Sequence, residues 1–80
     1  MRNLILLLND MIKLIPNDEE LDFKESLEKI RDRASFTAPE NQYSSWQDAQ
    51  LEISKYFENM SNEQEWCTPF INLWTNRQDN

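Results

Sequence analysis

The stretch PENQYSSWQDAQLEISKYFENM, residues 39–60, decides how this chain folds. On a helix that repeats about every 3.6 residues, Tyr43, Trp46, Ala49, Ile53, Tyr56, Phe57 and Met60 fall on one face, and Gln47, Asp48, Glu52, Lys55 and Asn59 fall opposite. The spacing predicts a long amphipathic helix. Pro39 suits its first turn, where a missing N–H breaks no hydrogen bond. A continuous apolar stripe of this length is expected to serve as the spine on which the other segments pack.

Working outward, the chain of 80 residues has the length of one domain, 1–80. A chain so short buries only roughly 60–65% of its unfolded surface, so each large apolar side chain is needed. Glycine is absent, which removes Gly-rich phosphate loops, glycine-dependent hairpin turns and the usual helix C-cap. The expected class is therefore all-α, a small antiparallel bundle of about four helices joined by Pro, Asn and Ser punctuation.

The first helix candidate spans Asn3 to Ile15. Leu4, Leu7, Leu8, Met11, Leu14 and Ile15 share a face that Ile5 and Ile12 widen to about half the cylinder, a width that implies contact with two or more neighbours. Leu6 falls among the polar positions. The apolar run is too short to span a bilayer, and Asn9 and Asp10 interrupt it below the length of a secretory signal. Pro16 ends this helix, and Asn17 with Glu20 forms a capping box for the next, with Asp18, Glu19 and Glu20 at the positive end of its dipole. Helix two carries Phe23, Leu27, Ile30 and Ala34 as a narrow stripe. The break is expected at Ser35 to Ala38, with Phe36 folding back onto the bundle to escape water. Ser61 to Gln64 forms a second capping box. Thr68 and Pro69 inside the last helical region predict a kink or split there, with Trp66, Phe70, Leu73 and Trp74 lining one face.

The composition excludes several functions. With no histidine, the commonest general base and the commonest zinc ligand are missing, so no catalytic residue, metal or cofactor is expected. The only acid/base candidates, Asp48 and Glu52 one helical turn apart, sit on an exposed face with no concave feature predicted, and the chain is expected not to be an enzyme. The single cysteine, Cys67, cannot form an intrachain disulfide and is read as a small buried hydrophobe, which fits a reducing, cytoplasmic setting.

The formal net charge of −7 is unevenly spread. Through Arg33 eight acids face six bases; from Ala34 onward seven acids face only Lys55 and Arg77, and that half also holds eight of the nine aromatic residues. Carboxylates beside aromatic rings suit a positively charged macromolecule: the charges raise the encounter rate and the rings anchor the complex. Direct nucleic-acid binding needs the opposite sign. The expected contact face comprises Asp48, Leu51, Glu52, Lys55 and Glu58 on the outer side of the central helix, adjoined by Glu63 and Trp66. In size, acidity and helical character the chain resembles immunity proteins of the colicin nuclease type, a likeness that carries no residue roles. The expected function is a small acidic protein that inhibits or neutralises a basic partner, such as a nuclease toxin or another nucleic-acid-binding protein. The alternative is a homodimeric assembly module that uses the broad apolar face of helix one.

Overall fold

The computed structural model describes residues 3–17, 21–60 and 64–77. Four helices follow in order, α1 (Leu4–Leu14), α2 (Leu21–Ser35), α3 (Tyr43–Glu58) and α4 (Cys67–Thr75), with a 3-10 turn over Pro39–Asn41 leading into α3. The fold is all-α, as expected, with no strand among the described residues.

The centre of the bundle is α1 rather than the long helix α3. Leu4, Leu7, Leu8, Met11 and Ile12 of α1, with Ile15 just beyond it, are buried, and α1 packs on one side against α2 and on the other against α4. The half-cylinder width of its apolar face is filled by these two neighbours, leaving Leu6 exposed. On α3 the fully buried residues are only Ser45, Ala49 and Ile53; Trp46, Tyr56, Phe57 and Met60 pack half-buried against the core. Tyr43, expected on the buried stripe, is 71% exposed, because the first turn of α3 extends past the point where a neighbouring helix covers that face. The α2 stripe is as expected, with Phe23, Leu27, Ile30 and Ala34 all buried.

Rings join α3 to the rest. Phe23 of α2 stacks on Tyr56 with centroids 4.1 Å apart, and Tyr56, Phe57, Trp66 and Phe70 continue the cluster at 5.0–6.2 Å. Trp46, near the start of α3, meets Trp74, near the end of α4, at 5.9 Å. With Tyr56 and Phe57 meeting the start of α4, the two helices run antiparallel.

A chain without glycine must end its helices by other means, and no residue among those described has positive φ. At the C-terminus of α2, Ser35 Oγ donates to the Asp32 carbonyl (2.6 Å) and Thr37 Oγ1 to the Arg33 carbonyl (2.9 Å). The buried amide of Gln42 donates to the carbonyls of Ala34 (3.0 Å) and Thr37 (3.3 Å). Asn59 Nδ2 donates to the Lys55 carbonyl at the end of α3 (3.1 Å), and Arg77 Nη1 to the Trp74 carbonyl at the end of α4 (2.7 Å). The carbonyls of Arg33, Ala34 and Trp74 also accept from the backbone N–H groups of Phe36, Thr37 and Arg77, so the side chains add second donors at helix ends that have no glycine C-cap. At the N-terminus of α1, Asn3 Oδ1 accepts from the N–H groups of Ile5 and Leu6.

Two turns differ from expectation. Phe36 does not fold back onto the bundle but is 91% exposed: the turn that lets Thr37 and Gln42 close α2 faces Phe36 into solvent. Pro69 marks the start of the last helix rather than an interruption within it. Glu65 and Trp66 form a turn that the Cys67 N–H closes on the Gln64 carbonyl (3.0 Å), and the Phe70 N–H then reaches the Trp66 carbonyl (3.2 Å). Pro69 stands in the first turn of α4, where the N–H it lacks would have no intrahelical partner. Both capping boxes fall partly on residues 18–20 and 61–63, outside the described residues.

Leu8→Ala, at a fully buried position of α1, is expected to lower unfolding free energy in urea by about 2–5 kcal/mol. Gln42→Ala removes the amide that meets two carbonyls at the end of α2 and is expected to cost about 1–3 kcal/mol in the same measurement.

Candidate protein-interaction face

The outer side of α3 brings together most of the residues expected to contact a partner. Leu51 is 68% exposed and forms a ridge between two depressions. On one side is a groove of about 530 Å³ walled by Tyr43, Trp46, Leu51 and Trp74, with Asp48 and Arg77 also lining it. On the other, toward α2, Ile30, Arg33, Asp48 and Glu52 line a second depression. Lys55 and Glu58 are exposed on the following turns of α3.

Asp48 is not a free charge. Its Oδ2 accepts from Arg33 Nη1 at 3.0 Å, which ties α3 to α2 across the face between two solvent-exposed side chains. A pair so exposed contributes ~0–1 kcal/mol, because water screens both charges. Glu52 is half-buried in the depression beside it. The two carboxylates therefore stand on an open surface.

Trp66 is not part of this face. It is only 8% exposed, its indole Nε1 donates to Gln64 Oε1 (3.1 Å), and its ring lies against Tyr56, Phe57 and Phe70. So small a core needs this ring, and the turn before α4 folds it inward. Its expected role as an exposed anchor is corrected accordingly. Glu63 lies outside the described residues.

The groove itself was not legible in the sequence. Its aromatic wall comes from Trp46 of α3 and Trp74 of α4 and is held by a hydrogen bond from Trp74 Nε1 to Gln50 Oε1 (3.2 Å), between residues 24 apart in sequence. The guanidinium of Arg77 lies over the Trp74 ring, 4.2 Å from its centroid. The Tyr43 hydroxyl accepts from Gln47 Nε2 (3.2 Å), which leaves the Tyr43 ring standing at the rim. Helical spacing did not signal the Arg77 contact either, because α4 ends at Thr75 and Arg77 meets Trp74 from the turn that follows.

Elsewhere the chain offers little chemistry. Among the described residues there is no group of three or more His, Cys, Asp or Glu side chains able to hold a metal ion, and no helix is long and apolar enough to cross a membrane. Cys67 is buried, with Sγ 3.7 Å from Met60 Sδ, in the setting of a small hydrophobe.

Asp48→Asn is expected to cost about 0–1 kcal/mol at low ionic strength, and the difference from wild type should vanish near ~1 M salt, where the Debye length is ~3 Å. Thermal melts across a salt series measure this. No family model, curated protein or solved structure matches the chain.

Proposed function

We propose that this chain is a small acidic protein-binding module that captures and neutralises a basic macromolecular partner through the outer face of α3. The observation that carries the reading is Leu51, a large apolar side chain exposed on a ridge with Asp48 and Glu52 beside it and Lys55 and Glu58 on the next turns. Leu51 projects among mixed charges, with Asp48 paired to Arg33 and with Lys29 and Glu52 lining the same depression, so the apolar side chain would anchor in a partner's apolar recess while Glu52 and Glu58 meet positive charge at its rim. The formal net charge of −7 favours such a partner at long range and opposes nucleic acid as a direct ligand. The partner class is a nuclease or another nucleic-acid-binding protein, whose own substrate-binding surface carries the required charge. Inhibition then follows from occupying that surface.

The test is a titration of the purified protein against the product of the neighbouring gene, or against a basic protein recovered on the immobilised chain and then purified. Binding is expected to weaken by about tenfold or more between ~50 and ~300 mM salt. The double reversal Glu52→Lys with Glu58→Lys is expected to lower affinity by about tenfold or more, with melting within a few degrees of wild type. Salt-insensitive binding, or binding unchanged by the reversal, refutes this reading.

A further inference from the structure

We infer that the groove between α3 and α4 is an arginine-recognition site, which takes a guanidinium side chain of the basic partner and which Arg77 occupies in the free protein. The nature of the partner rests on the function proposed above; the chemistry of the groove rests on contacts the chain makes with itself.

Proteins hold an arginine by stacking its planar guanidinium on a ring and by pairing it with a carboxylate. Both contacts are already made here, by two of the chain's own arginines. Arg77 places its guanidinium 4.2 Å from the centroid of Trp74, and Arg33 donates to Asp48 Oδ2 at 3.0 Å. Trp74 and Asp48 line one groove. A carboxylate offers about four lone-pair sites, so Asp48 can accept a second guanidinium beside Arg33. The remaining walls fit the rest of an arginine side chain: Tyr43 and Trp46 add ring surface, and Leu51 supplies an apolar wall for the methylene stem.

Arg77 reaches the ring from the turn that follows α4, and Trp74 is only 7% exposed with Arg77 in place, so an incoming guanidinium has to displace that of Arg77 to stack there. It therefore acts as a tethered competitor. An incoming arginine exchanges one guanidinium for another on the same ring, so the site rejects ligands that cannot match that stacking. A lysine ammonium, compact and strongly hydrated, matches it less well.

The probe is a short peptide in which arginine alternates with glycine, compared with its lysine analogue. The readout is the indole N–H resonances in nitrogen-labelled protein, with Trp66 as the internal control because it lies in the separate buried cluster. The arginine peptide is expected to shift Trp46 and Trp74 but not Trp66, and to bind about two- to fivefold more tightly than the lysine peptide. Arg77→Ala is expected to tighten the arginine peptide by a similar factor. Tyr43→Ala, which removes an exposed ring and so leaves the core intact, is expected to weaken it by a similar factor. Equal response to the two peptides overturns the arginine site while leaving a basic partner in place. Unchanged or weaker binding by Arg77→Ala shows that Arg77 only closes the helix end, and likewise overturns it. An arginine-peptide response in a protein that binds no basic protein supports the groove and removes the proposed function.

Discussion

The structure depends on the burial of one face of α1. Leu4, Leu7, Leu8, Met11, Ile12 and Ile15 are all removed from water by α2 and α4 together, and side chains of this kind each contribute about 1.5–3 kcal/mol when fully buried. Because that face spans half a cylinder, one neighbouring helix cannot cover it. Two must, and their placement on either side of α1 leaves α3 at the periphery, held to the rest through α2 and through rings. A peripheral α3 has a long outer surface to spare, and the proposed interaction face lies there.

The absence of glycine is the second constraint, and it shapes the ends of the helices. Without a residue that readily takes positive φ, the helix ends rely on tight backbone turns, such as those of Phe36, Thr37 and Arg77, backed by side-chain donors. Ser35, Thr37 and Gln42 close α2, Asn59 closes α3 and Arg77 closes α4. Gln42 shows how closely this couples distant parts: a residue placed by the 3-10 turn before α3 completes the end of α2, and so sets how the two helices meet. Arg77 shows the same economy at the end of α4, where one guanidinium both donates to a terminal carbonyl and covers an indole ring.

Apart from the exposed Phe36, the aromatic residues divide into two groups with different work. Phe23, Tyr56, Phe57, Trp66 and Phe70 form a cluster that joins α2, α3 and the start of α4. Trp46 and Trp74 join the opposite ends of α3 and α4 while Tyr43 stands exposed beside them, so that the second group lines a groove open to solvent. At the start of α3, Asp48 in its ion pair with Arg33 shares the groove with Tyr43 and Trp46, while Trp66 is buried in the core.

How much of this the sequence determined follows from the range of each interaction. Helix periodicity, proline positions and the lack of glycine are local properties, and they sufficed for four helices, for the stripe of Phe23, Leu27, Ile30 and Ala34, and for Leu51 as an outlying apolar residue. They also singled out Asp48, Glu52, Lys55 and Glu58 as lying on the outer side of α3. A stripe, however, records only that a face is apolar, not whether anything covers it. Tertiary structure alone decided that α1 and not α3 is central, that Tyr43 and Phe36 face water, that Trp66 is enclosed, and that Trp46, Trp74, Asp48 and Arg77 share one groove. Those outcomes depend on how helices distant in sequence divide too little buried volume among nine large rings, and no local pattern carries that information.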